Sequence, residues 1–124
     1  MKTFVLAMAT LSSLAWGALE LGSLKTRNVT LAILTDGDDM TLYTYDPDLP
    51  TPGKSICNGG CAANWPPVVP QGTPVAPFSV IKRDDQSLQL AYKNQPLYTF
   101  VNDEKGKISG DGKSGVWHVV HVNP

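Results

Sequence analysis

Cys57 and Cys61 are the only cysteines in this 124-residue chain, and three residues separate them. With the imidazoles of His118 and His121 and the thioether of Met40, two thiolates would make a soft donor set suited to Cu(I). In an oxidising compartment the same pair closes a disulfide, and the spacing fits either outcome, with the disulfide as the default. Such a bridge closes a small loop and stabilises by about 2 kcal/mol in the chain-entropy account.

The carboxylates are the other dense chemistry. Asp36, Asp38, Asp39, Asp46 and Asp48 crowd one stretch, but turns favour aspartate, and the ordered ligand spacing of a calcium loop is missing. Hydrolysis has no nucleophile elbow of the Gly-x-Ser-x-Gly kind. His118 and His121 lie three apart, which in a strand sends them to opposite faces. Gly112-Lys113-Ser114 lacks the upstream glycine and the following helix of a phosphate loop, and reads as part of a mobile loop from Glu104 to Gly115. Asn28-Val29-Thr30 matches a glycosylation sequon and is read as a chance match.

What must position these residues is a repeat. Tyr43-Thr44-Tyr45-Asp46-Pro47-Asp48 returns as Tyr98-Thr99-Phe100-Val101-Asn102-Asp103, both Tyr-x-aromatic-x-x-Asp. The alignment extends to Met40-Thr41-Leu42 against Gln95-Pro96-Leu97, Gly53-Lys54 against Gly106-Lys107, and Trp65 against Trp117. A duplicated unit this short cannot bury its own apolar face, so the two copies should pack on each other. Tyr43, Tyr45, Tyr98 and Phe100 supply two aromatic pairs, and Trp65 and Trp117 plug the shared core. Six buried rings at roughly 2 kcal/mol or more each would dominate it. Asp48 and Asp103 fall where each strand must stop, and a carboxylate there accepts backbone N–H groups and holds the loop.

Along the chain, residues 18 to 27 show no strong period and read as a frayed lead-in. Asn28 to Leu34 reads as a strand turning at Asp36-Gly37 into a returning strand from Met40 to Tyr45. Asp46 to Val75 is rich in proline, with one helical turn from Cys61 to Trp65 stopped by Pro66-Pro67. Phe78 to Lys82 and Ser87 to Tyr92 form a hairpin around Arg83-Asp84-Asp85-Gln86. Leu97 to Phe100 and Val116 to Val122 complete the strands. The fold class is therefore mostly β: a single small domain of two related hairpin repeats, about 28–67 and 78–122, with long Pro/Gly-rich loops.

Lys2 precedes an uncharged run to Leu19, and Ala15-Trp16-Gly17 offers small residues at a cleavage site, so residues 1–17 read as a secretory signal peptide and 18–124 as the exported domain. No later stretch is long and apolar enough to span a bilayer as a helix. Ten basic against eleven acidic side chains give a net charge of −1, which argues against nucleic acid or anionic membrane as a partner.

Thr35-Asp36, Met40 to Asp46, Gly53-Lys54-Ser55, Cys57-Asn58-Gly59-Gly60-Cys61-Ala62-Ala63-Asn64-Trp65-Pro66-Pro67, Ala91-Tyr92-Lys93, Pro96 to Phe100, Gly110-Asp111-Gly112 and Gly115 to Val119 stand in this order. Together they resemble the secreted-repeat family, bacterial predicted lipoproteins and periplasmic proteins with a Tyr-x-(Phe/Trp/Tyr)-x-x-Asp motif. The resemblance runs from about Leu31 to Val120 and implies an exported protein of paired repeats with no transferable activity. The chain departs from that pattern in having no lipid-attachment cysteine, in carrying Asp39 where glycine is frequent, which moves the expected turn to Gly37, and in carrying Leu90 where an aromatic is common. The expectation is a non-enzymatic exported module, periplasmic or secreted, with no cofactor, an unknown ligand and envelope proteins as possible partners. The alternative is a copper-binding or thiol-redox protein using Cys57 and Cys61.

Overall fold

Leu42-Tyr43 and Leu97-Tyr98 hold equivalent places in the repeat, and successive side chains of an extended chain leave on opposite faces. All four of these side chains are buried, so each extended segment must be covered on both sides. The fold meets that demand with two apolar layers. One contains Ile33, Tyr43, Cys57, Trp65, Tyr98, Phe100, Trp117 and Val119, and the other Leu34, Leu42, Phe78, Leu90, Leu97 and Val120. Neighbouring residues such as Ile33 and Leu34, or Val119 and Val120, divide between the layers as alternation requires.

The computed structural model describes residues 24–27 and 32–122. The expected signal peptide, the first part of the lead-in, the Asn28 start of the first hairpin strand and the sequon lie outside those residues. The strands are β1 (Leu24–Arg27), β2 (Ile33–Asp36), β3 (Tyr43–Tyr45), β4 (Phe78–Lys82), β5 (Leu88–Tyr92), β6 (Gln95–Pro96) and β7 (Trp117–Val119). They pair antiparallel as β1-β2, β3-β7 and β4-β5-β6. The one α-helix among the described residues, α1 (Gly60–Asn64), is a single turn, as Pro66-Pro67 demands. The domain is thus mostly β and small.

Three expectations change. Leu24–Arg27 is a strand against β2, although its own sequence has no strand period; the partner strand supplies the order that local propensity lacks. The first turn keeps the left-handed residue before Met40: Asp39 takes φ 64°, while the Asp36 carboxylate accepts the N–H groups of Asp38 and Met40 at 2.9 and 3.0 Å. Aspartate tolerates this conformation because its side chain bonds locally. Leu97 to Phe100 is not a continuous ladder strand. Tyr98 alone bridges Tyr43 on one side and Pro67 on the other, because Pro66 and Pro67 have no N–H to donate.

The duplication is visible in the bonding. In the first copy Leu42 donates its N–H to the Leu34 carbonyl at 3.1 Å, and Leu34 donates to Val120 at 2.9 Å. In the second, Leu97 donates to Leu90 at 3.0 Å, and Leu90 donates to Val68 at 2.8 Å. Each copy is therefore a hairpin that receives the terminal segment of the other copy.

Candidate functional site

The motif tyrosines and aspartates bond across the repeats. The Tyr43 hydroxyl donates to Asp103 Oδ2 at 2.6 Å, and the Tyr98 hydroxyl donates to Asp48 Oδ2 at 2.6 Å. The other oxygen of each carboxylate accepts a backbone N–H of its own loop, Ile56 on Asp48 at 2.8 Å and Ser109 on Asp103 at 2.8 Å. Tyr43 and Tyr98 meet along the backbone too, exchanging N–H···O bonds of 2.8 and 3.0 Å. Each aspartate holds its own loop and locks the tyrosine of the other copy.

The aromatic residues follow the same reciprocity. Trp65 and Trp117 stack with ring centroids 3.8 Å apart and 4° between planes. Tyr45 stacks on the outer face of this pair against Trp117 at 4.2 Å, and Phe100 against Trp65 at 4.4 Å. Tyr43 and Tyr98 press their edges onto Trp65 and Trp117 at 5.3 and 5.1 Å. The edge-on contacts of the tyrosines are an arrangement that ring quadrupoles favour. Gly110 lets the loop approach: its N–H donates to the Tyr43 hydroxyl at 3.1 Å, and a Cβ there would meet Trp65 at 2.6 Å. The loop around it is tied down, with Val119 N–H on Asp111 Oδ1 and Gly112 N–H on the Trp117 carbonyl, where sequence suggested mobility. Lys113 lies over the Phe100 ring.

One end of the motif carries a buried polar chain. Tyr98 spends its only proton on Asp48, so Ser55, 2.7 Å away, is the donor to Tyr98. Ser55 accepts in turn from Arg83 Nη1 at 2.9 Å. Arg83 is 4 % exposed and also donates to Gln89 Oε1, the Cys57 carbonyl and Asn58 Oδ1. Gln89 passes the chain to the Leu97 carbonyl at 2.7 Å. Along Arg83, Ser55, Tyr98 and Asp48 the donors all point one way, from the guanidinium to the carboxylate, which strengthens each bond. Burial pushes the Asp48 carboxyl above its ordinary value, opposed by the Tyr98 and Ile56 bonds and the Arg83 charge. Burial, then the bond to a carboxylate, pushes both Tyr43 and Tyr98 well above the usual phenol range. These phenols are poor proton donors for chemistry and stay neutral at any physiological pH.

Sequence reasoning placed Arg83 in the hairpin turn and did not single out Ser55 or Gln89. The alternation of the β4–β5 hairpin was the available signal, since Ile81 and Arg83 share a face.

Cys57 and Cys61 form a disulfide with S–S 2.03 Å. Cys57 is buried against the aromatic layer and its carbonyl is held by Arg83 at 2.6 Å. Bonded sulfurs offer no thiolate, so in the disulfide form they cannot act as soft metal ligands. His118 faces Asp46, Nε2 to Oδ2 2.9 Å, as a half-exposed pair. His121 is exposed and bridges Ile33 through its backbone, and Met40 closes the Asp36 turn. Among the described residues no three His, Cys, Asp or Glu side chains are grouped to hold a metal.

Two clefts among the described residues border the motif at its intervening threonines, Thr99 in one and Thr44 in the other. A cleft of about 390 Å³ has Asp36 and Asp38 on its rim and Val68, Val69 and Leu90 among its lining. One of about 240 Å³ is lined by Thr44, Tyr92, Lys93, Gln95 and His121 with Val119 and Val120. Lys93 sits over the Tyr92 ring, and the Thr44, Gln95 and His121 side chains have no hydrogen-bond partner among the described residues.

No helix among the described residues is long and apolar enough to cross a membrane. No curated protein and no solved structure matches the chain. The family described as a secreted repeat of unknown function matches it twice, over residues 32–69 and 79–121. Those two matches, covering more than half of the sequence and each carrying one Tyr-x-aromatic-x-x-Asp motif, place this chain in that family of secreted repeats.

Proposed function

We propose that the protein is a non-enzymatic exported module, periplasmic or envelope-associated, that binds a ligand or partner on a rigid two-repeat scaffold. The observation that carries this is the use made of the motif. Both tyrosine hydroxyls and all four carboxylate oxygens of Asp48 and Asp103 are engaged within the fold. Catalytic acids and bases need a free position toward a reacting atom, and these hydroxyls and carboxylates are already bonded to one another and to their loops. The side chains of Thr44, Gln95 and His121, which have no hydrogen-bond partner among the described residues, gather instead at a cleft beside Lys93, a concave site of the sort that recognises small ligands.

The test is intact mass of the purified protein, native and after denaturing alkylation, with and without reductant and with Cu(I) added. The binding-module reading expects one disulfide, no alkylation without reductant and no retained copper. Free thiols with one retained Cu(I) would replace it by copper handling through Cys57 and Cys61, with His118, His121 and Met40 as the next residues to change.

A further inference from the structure

We propose that this chain assembles with a second copy of itself by exchanging repeats, each chain's first repeat closing on the other chain's second. The inference rests on where the contacts of each repeat go, and it is independent of the ligand-binding reading above.

Within one copy each motif aspartate holds its own loop and each motif tyrosine touches its own tryptophan by an edge, but the rest of the motif is satisfied only between copies. The Tyr43–Asp103 and Tyr98–Asp48 bonds cross between copies, as do the Tyr45–Trp117, Trp117–Trp65 and Trp65–Phe100 stacks. So do the backbone bonds of the terminal segments. Val68 of the first copy accepts from Leu90 and donates to Leu97 in the second, while Val120 of the second accepts from Leu34 in the first. Arg83 reaches across to Ser55 and the Cys57 carbonyl, and Lys54 pairs with Asp84. A repeat alone is thus an open hairpin with a missing strand, and what fits it is another repeat of the same pattern.

Within one chain that partner is delivered by the connection 69–77, which contains Pro70, Pro74 and Pro77 and reverses through Gly72 at φ 77°. The partner of another chain presents the same atoms. Closed monomer and exchanged dimer therefore make identical bonds and differ only in the connection and in translational entropy, the condition for exchange at low cost. So short a connection gives an effective concentration on the order of millimolar, so the closed form holds at micromolar protein. Straightening the connection reverses the preference. Proline fixes φ near −65° and cannot adopt the Gly72 conformation, so Gly72→Pro disfavours the turn that closes the monomer.

The experiment mixes ¹⁴N- and ¹⁵N-labelled protein in denaturant with the disulfide intact and refolds it at about 1 mM, for the wild type and for Gly72→Pro. Monomer and dimer are then separated by size, and the Lys54–Asp84 ion pair is joined by a carbodiimide before peptide mapping. Exchange predicts a wild-type dimer fraction that rises with refolding concentration, a larger fraction in Gly72→Pro, and Lys54–Asp84 peptides linking light to heavy chains in the dimer only. If Gly72→Pro does not fold, the wild-type series decides alone. A protein that stays monomeric throughout overturns the proposal, and so does a dimer whose Lys54–Asp84 links are all light–light or heavy–heavy.

Discussion

Replacing Tyr98 by phenylalanine removes one oxygen from the middle of the motif and leaves the ring in place. Asp48, 2 % exposed, then loses a 2.6 Å bond, and Ser55 loses its acceptor. A hydrogen bond to a charged group contributes about 1.5–3 kcal/mol, and a buried group left unpaired costs about 1–3 kcal/mol. Because these overlap, the loss should be about 3 kcal/mol. Tyr43→Phe removes the equivalent oxygen; Asp103 is only half-buried, so water replaces its donor, but the buried Gly110 N–H loses its acceptor, and the loss should be about 2 kcal/mol. Urea denaturation checks both, since a slope of about 1–3 kcal/mol per molar converts 3 kcal/mol into a midpoint drop of at least about 1 M. The pH dependence adds a second reading. A carboxyl raised in the folded state contributes stability that is complete below its unfolded value and is lost as pH rises through its folded value. Burial already raises Asp48, and the Tyr98 bond opposes the rise, so the variant's carboxyl goes higher. The Tyr98→Phe deficit should therefore shrink between pH 7 and pH 4. An equal or smaller loss than in Tyr43→Phe, or a deficit that grows on acidification, would refute the reasoning.

Alkali should unfold the protein steeply. Tyr43 and Tyr98 are both raised from 10.0, so above pH 10 the unfolded chain releases protons that the native one keeps, and each phenol removes about 1.4 kcal/mol per pH unit. Denaturation followed from pH 10 to 11 should show a loss of about 2 kcal/mol from the pair, because the unfolded phenols are only half ionised at the start of that interval, and the loss should be roughly halved by Tyr43→Phe. Gly110→Ala should cost about 1–3 kcal/mol, because its Cβ would press on Trp65 and the stack cannot yield without disturbing Trp117; an unchanged melting temperature would contradict this. Reducing Cys57–Cys61 should lower stability by about 2 kcal/mol and leave the near-ultraviolet signal of the rings native, since the bridge closes a loop of only four residues' separation. Loss of that signal on reduction would show that the bridge holds the aromatic layer itself.

The sequence was most legible where spacing repeats. The paired motifs, the two tryptophans and the stopping aspartates announce a shared aromatic core, because duplicated spacing survives whatever the loops do. What it could not show is which copy each residue serves. Tyr43 and Asp48 sit together in one motif, yet each bonds to the other copy, and only the antiparallel Tyr43–Tyr98 bridge decides that. The buried chain was hidden for a related reason. Arg83 stands beside Asp84, Asp85 and Gln86, a run that reads as a turn, while the strand alternation from Ile81 carries it inward to Ser55 and Gln89. The β1 strand was illegible because its order comes from pairing with β2 rather than from its own residues. The fate of the cysteines was open because a four-residue spacing serves a bridge and a metal equally well.

The central claim is that the motif joins the repeats to each other. Double-mutant cycles on stability test it most directly, pairing Tyr98→Phe with Asp48→Asn in one cycle and with Asp103→Asn in the other. The cross-repeat pair Tyr98 and Asp48 should couple by about 1 kcal/mol or more, while Tyr98 and Asp103, neighbours in one motif, should add to within about 0.5 kcal/mol. Coupling between Tyr98 and Asp103 with additivity between Tyr98 and Asp48 would mean that each motif closes on itself, and the account would fail.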